Sequence, residues 1–140
     1  METGLADRVV VVTGGSSGIG RAVALAFGRE GARVALTYRT NSEGALSCAR
    51  EIEGSGGTAV ALPFDLAAAE GAGELAGTVT ATWGGIDVLV NCAGGRDRNA
   101  PWGSRFEDTA APEWQRMLDT DLAGPFRLLQ AAVPAMRGRR

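Results

Sequence analysis

The chain of 140 residues contains no lysine, no histidine, one tyrosine and two cysteines, and only 6% of it is aromatic. Without lysine it cannot be a P-loop, and without histidine it lacks the side chain most often used as a general acid or base. No apolar run approaches the roughly 20 residues of a membrane span, and the N-terminus has no signal-peptide pattern, so the chain reads as cytoplasmic with no membrane partner. A formal net charge of -2 and a pI near 5.2 give no electrostatic ground for binding nucleic acid. Cys48 falls on an apolar helical stripe with Ala45, Ala49 and Ile52 and reads as a small buried hydrophobe, and the spacing of Cys48 and Cys92 suggests neither a disulfide nor a metal site.

Glycine, by contrast, is abundant, and its placement is informative. The branched run Val9 to Val12 reads as a strand buried on both faces, and a helix follows with Ile19, Ala22, Val23, Ala26 and Phe27 on one face. Between them lies Thr13-Gly14-Gly15-Ser16-Ser17-Gly18-Ile19-Gly20. Glycines let backbone approach a pyrophosphate, and the first N–H groups of a helix supply positive potential without a charged side chain. The segment therefore points to a nucleotide cofactor. Its spacing, Gly14-x-x-x-Gly18-x-Gly20, is not the G-x-G-x-x-G of the common dinucleotide fingerprint.

The rest of the chain alternates between strands and helices. Gly31 ends the first helix, Val34 to Tyr38 reads as a second strand, and Ser42 to Glu53 as a helix capped by Asn41 or Ser42. A third strand, Thr58 to Leu62, leads into Pro63-Phe64-Asp65; a weaker helix from about Ala68 to Trp83 contains Gly71, Gly73 and Gly77. Ile86 to Val90 reads as a fourth strand, and a long loop precedes a last helix from about Pro112 toward Met136. With right-handed crossovers this predicts an α/β, doubly wound, Rossmann-like parallel sheet of four strands in the order 3-2-1-4.

Ligands of such sheets bind beyond the carboxyl ends of the strands, which here carry Thr13 to Gly20, Tyr38-Arg39, Asp65-Leu66 and Asn91-Cys92-Ala93-Gly94. Together these segments resemble the short-chain dehydrogenase/reductase family, whose members carry T-G-x-x-x-G-x-G after the first strand and N-N-A-G after the fourth. The resemblance implies a nicotinamide dinucleotide held by Thr13, Gly14, Ser16, Ser17, Gly18, Ile19, Gly20, Tyr38, Arg39, Asp65, Leu66, Asn91, Ala93 and Gly94, with Asp65 on the adenine. Asp65 also has the simpler reading of capping the turn that follows it. An NAD site needs a carboxylate at the end of the second strand to accept from the ribose 2′-hydroxyl. Here Tyr38 stands there and Arg39 follows, which favours NADP over NAD.

Two departures from the family bear on activity. Where it carries N-x-x-G-x-F, with the Asn in a proton relay, this chain has Asp121-Leu122-Ala123-Gly124-Pro125-Phe126. Asp121 is placed on the apolar stripe of Trp114, Met117, Leu118 and Leu122, partly buried, and an ionised carboxylate there could not donate as an amide does. The family's catalytic Ser, Tyr and Lys follow its fifth strand, and this chain, ending at Arg140, supplies no such set. Residues 1–140 are thus expected to be one NAD(P)-binding domain, truncated before that strand, from an oxidoreductase most like the 3-oxoacyl-acyl-carrier-protein reductases; the alternatives are a non-catalytic nucleotide-binding module joined to a full-length relative, or an inert fragment. Val88 to Val90 would then form an exposed apolar edge, and self-association or a homo-oligomer through the last helix is expected. Arg137-Gly138-Arg139-Arg140 reads as a solvated terminus near a helix dipole, and Pro101-Trp102-Gly103 as a loop anchor or a substrate-side lip.

Overall fold

In the computed structural model, which describes residues 3–94 and 105–139, the apolar runs become four parallel strands: β1 (Val9–Thr13), β2 (Arg33–Tyr38), β3 (Thr58–Pro63) and β4 (Val88–Asn91). Their order is β3-β2-β1-β4, as the alternation predicts. Between them run α1 (Gly18–Arg29), α2 (Ser42–Gly54) and α3 (Ala72–Trp83); after β4 come α4 (Ala111–Leu118) and α5 (Gly124–Arg137). All five residues of β1 are buried. The reason is that both faces of the sheet are covered: Val10 and Val12 pack with Ala24, Val34, Leu36, Ala45, Cys48 and Ile52 beneath α1 and α2. Val9 and Val11 pack with Leu75, Val79, Ile86, Leu128 and Ala132 beneath α3 and α5. Cys48 is buried as its stripe predicts, and burial pushes its thiol pKa up against the pull of Arg21.

The register aligns the strand ends, with Thr13 beside Asn91 and Tyr38 beside Pro63. Chain direction through the sheet reverses its order at β1, so the crevice lies between the ends of β1 and β4.

Several elements differ from the sequence expectation. The third helix begins at Ala72 rather than near Ala68, because Gly71 has a φ of 104°, a left-handed conformation that no helix contains. Strand β4 starts at Val88; Ile86, expected as its first residue, is nonetheless buried in the core. The last helix is not one regular element, since a π-helical segment at Asp119–Ala123 separates α4 from α5. Pro125 has no N–H for the carbonyl of Asp121, and its ring crowds that carbonyl, so the ladder widens ahead of it.

Arg139, expected as part of a solvated terminus, is instead paired. Arg139 reaches the amino end of the sheet, where its Nη2 lies 2.7 Å from an oxygen of Asp87 and its Nη1 donates to the Trp83 carbonyl at 3.4 Å. Asp87, whose side chain is 7% exposed, also accepts from the Val9 amide at 2.8 Å and from Arg8 at 3.2 Å. One carboxylate thus ties β1, the entrance to β4 and the end of α5 together.

Candidate nucleotide site

The glycine loop is held from beneath by threonines. The buried Thr13 hydroxyl accepts from the Cys92 and Ala93 amides, each at 3.1 Å, which fixes the exit of β4 against the exit of β1. Thr37 accepts from the Gly14 amide through its hydroxyl at 3.3 Å and from the Gly15 amide through its carbonyl at 2.8 Å. The loop therefore lies flat over the strand ends. Gly14 has a φ of 69°, and a Cβ on it would come within 2.9 Å of the Ala93 Cα. A Cβ on Gly20 would strike the Gly14 carbonyl oxygen. Gly18 is different: its φ is 55°, and an added Cβ would meet nothing within 4 Å, so it needs glycine for its backbone and borders open space.

Above this loop lies a cleft of about 690 Å³. Its wall contains Gly14, Ser16, Ser17, Gly18, Ile19 and Gly20 from the loop and the start of α1, Tyr38 at the end of β2 and Arg39 just beyond it, Asp65 and Leu66 beyond β3, and Ala93 and Gly94 beyond β4. The structure thus brings together these twelve of the residues that the sequence singles out. Thr13 lies behind the wall as a support, and Asn91 ends β4 beside it. Both readings of Asp65 have a place here, since it lines the cleft and its Oδ1 accepts from the Ala67 amide at 3.0 Å.

Asp121 is exposed rather than partly buried, and its Oδ1 lies 3.7 Å from where a Cβ on Gly94, in the cleft wall, would stand. The residue that the π segment turns inward is Thr120, which is buried and lines the cleft. The stripe of Trp114, Met117 and Leu122 likewise faces out, with Leu122 67% exposed. Pro101, Trp102 and Gly103 lie outside the described residues.

Residues given no cofactor role from the sequence also line the cleft, among them Thr37, Thr40, Asn41 and Cys92. Asn41 caps α2 by accepting from the Gly44 amide at 3.0 Å, as its position before the helix suggests, and it also donates to the Ser16 carbonyl at 3.4 Å. That second bond joins the glycine loop to α2. Gly124 serves the site from outside: a Cβ there would collide with the Leu66 carbonyl, so glycine lets the last helix press on the loop beyond β3. Arg127 reinforces the contact by donating to the carbonyls of Ala67 at 3.2 Å and Asp119 at 3.4 Å.

A cleft floored by close-packed glycine backbone, at the opening of a helix and the reversal of a parallel sheet, is shaped for a dinucleotide's pyrophosphate. The model of the short chain dehydrogenase family matches residues 8–140. The chain belongs to the short-chain dehydrogenase family. Among its relatives in that family are a 3β-hydroxysteroid dehydrogenase of Eggerthella lenta, 36% identical over 97% of this chain and 50% of that protein, and an NAD(P)-dependent L-rhamnose 1-dehydrogenase of Azotobacter vinelandii, 39% identical over 95% of this chain and 51% of that protein. Among solved structures, L-sorbose reductase of Gluconobacter frateurii, complexed with NADPH and L-sorbose, superposes with a TM-score of 0.88 at 33% identity, over 99% of this chain and 51% of that one. A metagenomic short-chain oxidoreductase in complex with NADP gives a TM-score of 0.86 at 38% identity, over 97% and 59%. The chain therefore spans about half the length of the curated short-chain dehydrogenases it matches.

Proposed function

We propose that this chain is the NADP-binding portion of a short-chain reductase. The observation that carries the reading is the glycine-floored cleft with Arg39, and no carboxylate, at the end of β2. NADP binding in two similar structures supports it. In this reading the amides around Gly14 to Gly20 and the N-terminus of α1 receive the pyrophosphate, Asp65 and Leu66 border the adenine, and Arg39 faces the ribose 2′-phosphate. Ala93 and Gly94 wall the nicotinamide side, with Thr13 and Asn91 holding that wall. The bound cofactor would supply or accept a hydride. Residues 1–140 then act as one cofactor domain.

The carbonyl chemistry needs more than this chain contains. It has no lysine, and its one tyrosine, Tyr38, sits at the cofactor end of β2, so a Ser-Tyr-Lys set has to be completed outside these residues. General acid/base assistance contributes about 10² to 10⁴ in rate, and the chain alone is expected to bind cofactor and turn over little. Asp121, where the family has its relay Asn, accepts hydrogen bonds but does not donate them when ionised, and it is assigned no proton-transfer step. The proposed substrate is a 3-oxoacyl group or another small carbonyl compound, and the proposed setting is the cytoplasm.

A second reading, a module that associates through its last helix, draws on the exposed apolar residues of α4 and α5. Titration with NADPH and NADH, followed by energy transfer from Trp83, Trp102 and Trp114, tests the cofactor reading. Micromolar NADPH binding, weaker NADH binding and negligible carbonyl reduction are expected. Absence of NADPH binding would refute the cofactor reading, and measurable reduction by the chain alone would refute the account of its missing catalytic groups.

A further inference from the structure

Arg39 belongs to two clefts. One is the nucleotide cleft; the other, of about 390 Å³, opens between the end of β3 and the first turns of α3. The charged residues around the smaller cleft are Arg39, Asp65, Glu70 and Glu74, one cation facing three carboxylates. All four are exposed, and Arg39 takes no part in the ion pairs found among the described residues. The guanidinium therefore stands on a shared wall, with the exposed carboxylates of one cleft on one side and the nucleotide cleft on the other.

We propose that Glu70 and Glu74 are specificity-determining residues that compete with the cofactor's 2′-phosphate for Arg39. The proposal rests on the NADP reading above. A guanidinium binds carboxylate and phosphate through the same forked donors, so carboxylates across its cleft draw the mobile side chain away from a phosphate on the other side. Only a cofactor carrying the 2′-phosphate enters that competition; one with a bare ribose hydroxyl does not. Exposed pairs of this kind are weak and screened by salt, so the effect on affinity is about two- to fivefold at low ionic strength.

The test is the E70Q/E74Q double variant, made both in the natural chain and in R39Q. Dissociation constants for NADPH and NADH are measured by tryptophan energy transfer at about 20 mM and about 500 mM salt, where the screening lengths differ several-fold. The expected result is NADPH binding tightened about two- to fivefold at low salt, NADH changed less than twofold, and the gain lost at high salt and in R39Q. A gain that persists in R39Q, or that is equal for the two cofactors, overturns the proposal, because it would be general electrostatics. Labelling of Arg39 by phenylglyoxal, read by peptide mass spectrometry without cofactor, separates the remaining failures. If E70Q/E74Q raises the labelling while NADPH affinity stays unchanged, the pairing is real and the 2′-phosphate reading has failed; if neither changes, the competition itself is absent.

Discussion

Asp87 is the residue whose titration matters most for stability. The hydrogen bond from Arg139 holds its carboxyl down to about 2, from an ordinary 3.8, with the Val9 amide and Arg8 adding to the pull against the cost of burial. A carboxyl whose folded value is depressed stabilises the fold above its unfolded value, and the contribution fades as pH falls toward the folded one. The expected outcome is a loss of about 1 to 2 kcal/mol between roughly pH 4 and pH 2, after allowance for solvent around the pair. Asp87→Asn should be less stable than the natural chain at pH 7 by a similar amount, and the two should converge near pH 2. Urea denaturation across this range checks the point, and parallel acid limbs for the two proteins would contradict it. Gly14 presents the other residue-scale case. Gly14→Ala adds a methyl where the Ala93 Cα leaves 2.9 Å and the backbone is left-handed, so roughly 1–3 kcal/mol of stability and the shape of the loop should both be lost. An unfolding midpoint unchanged by that substitution would contradict the geometry.

At the scale of elements, the sign of a glycine substitution depends on what faces it. Helix interiors favour alanine over glycine by about 0.5–1 kcal/mol, and Gly73 and Gly77 in α3 are exposed with nothing within 4 Å of an added Cβ. Gly73→Ala and Gly77→Ala should therefore raise stability by about that amount each. Gly124→Ala should lower it by about 1–3 kcal/mol, because its Cβ would meet the Leu66 carbonyl and the steric cost exceeds the helical gain. Thermal melts of the three variants give the signs directly, and a stabilised Gly124→Ala would show that the helix can move away from Leu66. These cases also mark what the sequence could reveal. Strand identity was legible because each strand is a local apolar run, strand order because strands alternate with helices through right-handed crossovers, and the cleft wall because its residues follow those strands. The π segment was not, since its cause is Pro125 acting on a carbonyl four residues back within an otherwise helical pattern. The pairing of Arg139 with Asp87 joins residues 52 apart, and the bond from Asn41 to Ser16 joins residues 25 apart. Neither partner's local pattern signals the other.

For the molecule as a whole, two surfaces are candidates for self-association. Among the described residues β4 is an edge strand, yet Val88, Leu89 and Val90 are each half-buried against the two cores. The outer face of α4 and α5 is more open: Trp114, Leu122 and Phe126 are 54%, 67% and 60% exposed, and Met117, Leu129 and Val133 extend the same apolar surface. Isolated apolar residues on a surface are ordinary, but Leu122, Phe126, Leu129 and Val133 recur at helical spacing and make a candidate face for a partner. A second copy of the chain brings the same face, and a two-fold pairing buries both at once. The helices are therefore expected to dominate association. In sedimentation velocity, the natural chain should form a concentration-dependent dimer. Leu122→Glu with Phe126→Glu should shift it to monomer while leaving the helical circular dichroism unchanged, since neither side chain belongs to the buried core. A charge placed on β4, at Leu89→Glu, should instead unsettle the fold through its contacts with β1 and α5. If the helix variant stays dimeric and the loss of association follows β4 alone, the strand edge is the interface and the apolar face of α4 and α5 is a solvent surface.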